Sequence, residues 1–398
     1  MRLIDTQLVK EAWQDLRAHR GRTVLSAISL LIGVIAVVGV FTAGSVVRDV
    51  FVAGAEQQNG RAVTVETRIQ DPAVAARGLP AVVADLDRRI SDAGGSFALS
   101  TDLSGSLTTP DGTAHGQDVT LVAGRLDLVR RMPVLEGGWL PADSRVHPGG
   151  VVLNQAAAAQ YGQPGATLLV GLDHRFQAFP QRVLGVVADG RQTPMVYLSL
   201  LSADAFQPGA VPADPSLDLL AHDPVADEAV LHDAVAQVGS DLGIPASALD
   251  IRRTDTVQQL ADSLRTTQAA FLAAAVVTLL ASVMGLLNIG LATVRDRRRE
   301  LTIRRATGAT RLRIFSLVLS SSLLVGLLAA LVAIGAALLV VFGVVPHLLS
   351  PASAVEAPGF PVSAAAAGLL AALAASACGG IAPALAASRV DLAYALRE

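Results

Sequence analysis

Lysine and cysteine are almost missing from this sequence, and each scarcity excludes a class of function. Lys10 is the only lysine among the 398 residues, and the residue before it is Val9. A phosphate-binding loop of the GxxxxGK[ST] type is therefore absent from the sequence, and we expect no ATP hydrolysis by the chain itself. Cys378 is the only cysteine, which excludes an internal disulfide and a metal site built from several cysteines. The net charge of -3 does not favour nucleic-acid binding.

Charged and aromatic residues are also scarce, whereas aliphatic residues are abundant. Charged residues make up 16% and aromatic residues 4%, against 52% hydrophobic residues. Four runs contain no charged residue at all: 24–47, 269–294, 314–345 and 360–381. Each is long enough to cross a hydrocarbon layer of about 30 Å at about 1.5 Å per residue. We predict four transmembrane helices. The first is expected to be a retained anchor, since the apolar core of a signal peptide is usually only about 7–15 residues.

The distribution of arginine predicts the orientation of the chain. Residues 295–313 carry eight basic and two acidic side chains, and residues 1–23 carry five basic and three acidic ones. Residues 48–268 instead carry 16 basic and 26 acidic side chains. We therefore expect the two basic segments and both termini in the cytoplasm, and residues 48–268 outside the membrane.

The sequence of residues 48–268 predicts a folded domain of mixed α and β structure with stalk helices. Period-two alternation predicts strands, and longer apolar periodicity predicts helices. Expected strands lie at 61–67, 118–122, 150–153, 167–170, 182–187 and 195–198, expected helices at 82–91, 155–161 and 227–242, and expected loops at 100–116 and 207–215. Residues 254–268 lack glycine and proline, so we expect them to extend the second transmembrane helix outward.

The predicted fold is thus a multi-pass α-helical membrane protein with a large mixed α/β extracytoplasmic domain between transmembrane helices 1 and 2. The remaining segments are a cytoplasmic amphipathic helix at 1–23, a cytoplasmic loop at 295–313, a short outer loop at 346–359 and a cytoplasmic tail at 382–398. No charged residue lies within a span, which argues against a proton relay. Catalytic, cofactor-binding and metal-binding residues are not predicted. Small residues in the spans favour close helix packing, namely Gly33, Gly39, Gly285, Gly290 and Gly326.

The loop at 295–313 is more patterned than an orientation signal requires. Glu300 and Arg304 are four residues apart, in the favourable order for a helical ion pair. Gly308 is a stop signal, and Thr310 can cap the helix that follows. The pattern predicts a short basic amphipathic helix. Two interpretations are open. The segment is either a plain topology signal in contact with lipid headgroups or a docking element for a cytoplasmic partner, with Leu301 and Ile303 buried in that partner.

Residues 300–311, ELTIRRATGATR, resemble the signature REIGIRRALGATR of FtsX/MacB-type ABC-transporter permeases. The end of the chain, PALAASRVDLAYALRE, resembles the PARRAARLDPVEALR tail of that family, although Leu392 and Tyr394 depart from it. Segments 151–154, 161–167 and 183–187 look like the family's extracytoplasmic core domain. The resemblance covers nearly the whole chain and reproduces its order of one span, a large domain and three spans.

The resemblance implies a permease subunit in a bacterial cytoplasmic membrane, surrounded by lipid and paired with a second permease chain as a homodimer or heterodimer. A separate cytoplasmic ABC ATPase would bind ATP and magnesium, so no cofactor is expected in this chain. The implied ATPase-coupling residues are Arg299, Glu300, Leu301, Ile303, Arg304, Arg305 and Gly308. The implied activity is export or extraction of an envelope substrate, with an outer cargo or accessory protein. The alternatives are a non-transporting regulator of a cell-wall hydrolase or signalling partner, and a membrane-anchored sensor or adhesion protein.

Overall fold

The computed structural model describes residues 20–70, 74, 77–141, 150–172, 177–212, 216–225, 227–245, 249–348 and 359–389. Nearly all of the helix predicted at 1–23 lies outside these residues, as do 349–358 of the outer loop and 390–398 of the tail. The described chain divides into two compact units. Residues 20–48, 263–348 and 359–389 form a membrane unit, and the residues between Asp49 and Asp262 form an outer unit.

The described residues begin with one long helix, which is followed by a mixed set of strands and short helices. Helix α1 is Arg20–Asn59, a 40-residue element that carries the first predicted span. The outer unit then contains, in order, β1 (Thr64–Ile69), α2 (Leu79–Leu86, continued by a π-helical turn at Asp87–Ser91), β2 (Ser96–Thr108), β3 (Ala114–Gly124), α3 (Leu126–Val129), β4 (Val134–Gly137), β5 (Val151–Asn154), α4 (Gln155–Tyr161), β6 (Thr167–Leu172), β7 (Phe179–Val187), β8 (Val196–Ser199), α5 (Leu200–Phe206), β9 (Leu217–His222), α6 (Glu228–Asp241) and β10 (Arg252–Arg253).

All ten strands belong to one sheet, in the order β10-β1-β9-β2-β3-β8-β5-β7-β4, with β6 paired to both β2 and β7. The pairings of β2, β3, β8, β5, β7 and β6 therefore close into a ring. This closure is possible because β2 is 13 residues long. One edge of β2 pairs with β9 through residues 96–100 and with β6 through residues 105–108.

The interior of the ring is filled by aliphatic side chains from alternate strand positions. These side chains are fully or almost fully buried: Leu107, Val119, Leu121, Val151, Leu153, Leu168, Val170, Val183, Val196 and Leu198. Burial of each stabilises the fold by about 1.5–3 kcal/mol. Val152 and Tyr197 point to the opposite face, where they join a second buried cluster. Because β5 and β8 bury both faces, they read in the sequence as unbroken apolar runs.

The loop predicted at 100–116 is wrong, since these residues form most of a β2–β3 hairpin. Glycine and serine made the segment look irregular. Gly105 is instead a point of close strand approach, because a Cβ there would lie 2.8 Å from the carbonyl oxygen of Gly171. The predicted strands and helices all coincide with observed elements, with shifted ends, whereas β2, β4, β9, β10, α3 and α5 were not predicted. The loop predicted at 207–215 contains no helix or strand in its described part, 207–212.

The membrane unit continues with helix α7 (Val257–Asp296), α8 (Arg298–Ala306), α9 (Arg311–Leu339), a π-helical turn (Val340–Val344), α10 (Val345–Leu348) and α11 (Val362–Ser388). Among the residues that the structure describes, four stretches are long and apolar enough to span a membrane: Val24–Asn59, Gln259–Asp296, Arg311–Leu348 and Val362–Ser388. The four predicted spans are thereby confirmed. With 40 residues each, α1 and α7 are about 60 Å long, which exceeds the hydrocarbon thickness.

Glycine permits close approach between the spans at several of the predicted positions. A Cβ on Gly33 would lie 2.6 Å from Ser282 Oγ, and one on Gly290 would lie 2.6 Å from Pro383 Cγ. Gly285 and Gly326 are likewise packed against serine side chains of neighbouring helices. Gly39 is different, because no atom lies within 4 Å of the position a Cβ would take. The packing role predicted for Gly39 is therefore wrong in this unit.

Candidate functional site

The patterned segment between the second and third spans folds as the short helix α8. Helix α7 ends at Asp296, and Arg297 (φ -98°, ψ 10°) breaks the helical path before α8 begins at Arg298. This nine-residue helix ends at Ala306, and α9 starts at Arg311. The predicted helix is thus present, and short connections tie both of its ends to a span.

Glu300 binds two arginines, of which the sequence pattern identified one. Its Oε1 accepts a hydrogen bond from Arg304 Nη2 at 2.8 Å, the expected i,i+4 pair. Its Oε2 accepts from Arg297 Nε at 3.1 Å, and Arg297 Nη2 lies 3.0 Å from the same oxygen. Arg297 was overlooked, although its i,i+3 spacing from Glu300 was a signal in the sequence. The carboxylate therefore joins the break before α8 to the last turn of α8.

The charge state of Glu300 follows from these contacts. Partial burial alone would favour the neutral acid, but the hydrogen bonds and positive charges of Arg297 and Arg304 outweigh it. The pKa of Glu300 is consequently held below its ordinary value. Glu300 is ionised at neutral pH and neutralises part of an otherwise strongly basic segment.

The end of α8 is a Schellman motif. The N–H of Ala309 donates to the carbonyl oxygen of Arg304 at 3.0 Å, and the N–H of Gly308 donates to that of Arg305 at 3.1 Å. Gly308 has φ +101°, a left-handed conformation that side chains other than glycine rarely adopt. Thr310 then caps α9, because its Oγ1 accepts from the N–H of Arg313 at 3.2 Å. The stop and the cap expected from the sequence are both present.

Leu301 lies on the inner face of α8, where its side chain is 4% exposed. It belongs to a buried cluster with Val294 of α7, Ile314 of α9 and Ala387 of α11, and Ala309 packs against the same cluster. The expectation that Leu301 is buried in a partner therefore needs revision. It is buried in a cluster with residues from three spans of its own chain.

The outer face of α8 carries a different set of side chains. Ile303 is 57% exposed, and Leu312, in the first turn of α9, is 75% exposed. Arg298, Arg299 and Arg311 are exposed as well. Leu312 was overlooked, although its position between two arginines at a helix start marks it as a surface residue. We call Ile303, Leu312 and the exposed arginines 298, 299 and 311 the outer face of the loop.

No group of three or more histidine, cysteine, aspartate or glutamate side chains suited to a metal ion occurs in the described parts of the chain. The outer face of the loop instead combines positive charge with exposed apolar side chains. Such a surface suits a protein partner that offers acidic residues around an apolar groove.

Two family models match this chain. Residues 23–237 match the MacB-like periplasmic core domain, and residues 272–392 match the C-terminal region of FtsX-like permeases. The chain belongs to the FtsX/MacB-type permease family. It is an ABC-transporter-type permease, a membrane protein with an extracytoplasmic domain between its first and second spans. The loop with α8 lies within the FtsX-like region.

Two of the solved structures similar to the chain are extracytoplasmic regions. The periplasmic region of MacB from Actinobacillus actinomycetemcomitans is 16% identical, with a TM-score of 0.37; the match covers 52% of this chain and 95% of that one. The extracellular domain of the noncanonic ABC-type transporter YknZ from Gram-positive bacteria is 13% identical, with a TM-score of 0.33; the match covers 48% of this chain and 99% of that one. No curated protein sequence matches the chain.

Proposed function

We propose that this permease couples ATP hydrolysis by a separate cytoplasmic ATPase to movement of its extracytoplasmic domain. The observation that carries the proposal is the two-sided character of α8. One face, through Leu301, is packed into the permease, and the other presents Ile303 and arginines outward. A plain topology signal requires only positive charge and none of this packing.

The outer face of the loop provides the docking surface. Exposed arginines attract an acidic rim at long range, and apolar side chains supply burial once the surfaces meet. Ile303 and Leu312 are the two large apolar side chains available for this purpose. The ATPase would bind ATP and magnesium, and α8 would rest in a groove on its surface.

The inner face of α8 provides the mechanical link. Leu301 lies in one buried cluster with residues near the ends of α7, α9 and α11, so a displacement of α8 would be passed to three of the four spans. Close-packed protein interiors deform little, so a buried cluster of this kind would transmit displacement rather than absorb it. Two permease chains, as a homodimer or heterodimer, would place two such helices above two ATPase subunits.

The proposed activity is export or extraction of an envelope substrate, which could be a lipoprotein, a peptide, an antibiotic or a lipid. A MacB-like periplasmic core domain of this size supports transport over the alternative of a regulator that acts on a cell-wall hydrolase. Both activities use the same coupling helix, and they differ in what the outer domain contacts.

The proposed orientation, with both termini in the cytoplasm, gives a direct labelling prediction. Ser104→Cys and Thr307→Cys, each in a Cys378→Ala background, place single thiols at exposed positions of the outer unit and of the loop. A membrane-impermeant maleimide applied to intact cells should label position 104 and leave position 307 unlabelled until the cells are permeabilised. Labelling of position 307 from outside would reverse the orientation and remove the docking proposal.

A second prediction tests docking itself. Glu300→Ala/Arg304→Ala removes the bridge across α8, and the loss to folding should be small, about 0.2–0.5 kcal/mol for each of the two helical ion pairs of Glu300. The variant should insert in the membrane and keep a folded outer domain. It should nevertheless stimulate the ATPase that co-purifies with the wild-type chain much less, because α8 no longer presents its outer face in one conformation. ATPase turnover in reconstituted membranes measures this effect.

The matched control is Asp85→Ala/Arg88→Ala, which removes an i,i+3 ion pair on the outer unit. This control should stimulate ATPase turnover as the wild type does. If the loop variant stimulates normally and the outer control does not, α8 is a topology signal only.

A further inference from the structure

The end of α1 and the start of α7 lie side by side within the outer unit. Asn59 is the last residue of α1, and its Nδ2 donates a hydrogen bond to Thr256 Oγ1 at 3.1 Å, across 197 residues of sequence. Thr256 immediately precedes α7, and its carbonyl oxygen accepts the N–H of Leu260 at 3.0 Å. The two 40-residue helices are thus joined by a side-chain hydrogen bond where one ends and the other begins.

The strands next to these helix ends are joined as well. The N–H of Thr254 donates to the carbonyl oxygen of Thr64 at 3.1 Å, and Thr254 Oγ1 donates to Glu66 Oε2 at 3.0 Å. β10 pairs antiparallel with β1, with Arg253 opposite Val65. β1 is the next element after α1, and β10 is the last element before α7. The two segments that connect these helices to the sheet therefore lie together at one edge of the sheet.

Asp255 connects these two segments through a buried carboxylate. Its side chain is 0% exposed. Oδ2 accepts hydrogen bonds from Arg253 Nε at 2.6 Å and from the backbone N–H of Val63 at 3.1 Å, and Oδ1 accepts from Arg253 Nη2 at 3.1 Å. A carboxylate so fully bonded holds its partners in fixed positions. One of them is the backbone between α1 and β1.

Val63 has an unusual backbone conformation. Its φ is +61°, and it is the one non-glycine residue with positive φ among the residues that the structure describes. A β-branched side chain strongly disfavours this region, and a residue remains in it only where its surroundings impose it. The hydrogen bond from the N–H of Val63 to Asp255 is such a constraint. Asp255 lies in the segment between β10 and α7, so the constraint on Val63 depends on the position of that segment.

We infer that Asn59, Val63, Asp255 and Thr256 form a root clasp, a joint that converts relative movement of α1 and α7 into a change at β1 and β10. A shift of α7 away from α1 would draw Asp255 from the N–H of Val63. Val63 would then relax to negative φ, and β1 would leave the helix end in a new direction. The role of the clasp in transport rests on the proposed function, but its response to helix movement does not.

The test separates α1 from α7 at a distance from the clasp. A Cβ on Gly44 would lie 2.8 Å from Gln268 Nε2, so Gly44→Cys/Gln268→Cys in a Cys378→Ala background places two thiols close together on these helices. The full-length chain is placed in lipid nanodiscs. In the closed form a direct disulfide holds α1 and α7 together, and in the open form a long bis-maleimide cross-linker holds them apart. Hydrogen exchange at residues 63–66 and 253–256 is then measured in both forms.

We expect the open form to exchange severalfold faster than the closed form at these amides. Val63→Gly should remove most of the difference, since glycine adopts either sign of φ without strain. Ala62→Gly is the matched control: it loosens the same connection at an exposed residue with ordinary φ and should preserve the difference.

Equal exchange in the open and closed forms would overturn the inference. So would an equal loss of the difference in Val63→Gly and Ala62→Gly, because chain flexibility rather than the clasp would then be responsible. No ATPase is present in this experiment, so either result leaves the docking of α8 to be judged separately by the turnover assay.

Discussion

Replacing Gly308 by valine should abolish stimulation of the partner ATPase while the chain still inserts in the membrane. Gly308 has φ +101°, and a side chain in the left-handed region costs about 1–2 kcal/mol, more when it is β-branched. No atom lies within 4 Å of the position a Cβ would take, so the penalty comes from the backbone and not from a clash. The Schellman hydrogen bonds at the end of α8 would be lost, and the outer face of the loop would be presented at a different angle.

The measurement is ATPase turnover in reconstituted membranes, with two controls. Gly112→Val imposes the same kind of backbone penalty on the β2–β3 hairpin, where φ is +88° and the Cβ position is also open, and it should leave stimulation intact. Gly308→Asn should retain much of the stimulation, since asparagine tolerates positive φ. Normal turnover with Gly308→Val would show that the geometry of α8 does not matter for coupling.

Leu301→Ala should separate ATPase binding from ATPase stimulation. The side chain is 4% exposed and packs against the ends of three spans, and removing such a group typically costs about 2–5 kcal/mol. The outer face with Ile303 is unchanged, so we expect the ATPase to co-purify with the variant at wild-type levels. Stimulation of turnover should fall strongly, because displacement of α8 no longer reaches the spans.

Ile303→Ala is the matched comparison and should show the opposite pattern, weaker co-purification with the mechanical link intact. Ile314→Ala should resemble Leu301→Ala, and the two together should be less than additive because the side chains share one cluster. If Leu301→Ala weakens co-purification as much as Ile303→Ala does, the division of α8 into a docking face and a linking face is wrong.

Most features of the membrane unit could be predicted because they depend on neighbouring residues in the sequence. A span needs about 20 apolar residues in a row, and four such runs are present. The ion pair of Glu300 with Arg304, the turn at Gly308 and the cap at Thr310 each involve residues at most five positions apart, where local helix geometry sets the contact.

Side-chain orientation in the loop could not be predicted in the same way. Leu301 and Ile303 are two positions apart on α8 and similar in hydrophobicity, yet one is buried and the other exposed. The difference depends on where Ile314 and Ala387 lie, and that is decided by the packing of α9 and α11. The loop predicted at 100–116 was wrong for a related reason. Gly105 permits a close approach to Gly171 of a neighbouring strand, and that partner is distant in sequence.

The sequence by itself therefore determined the number of spans, the position of the outer domain and the local chemistry of α8. Each of these follows from composition or from short-range spacing. Only the tertiary structure decided how β6 closes the ring, which face of α8 is available and how Val63 meets Asp255. These are contacts between residues up to 192 positions apart, and they depend on chain topology that no local pattern encodes.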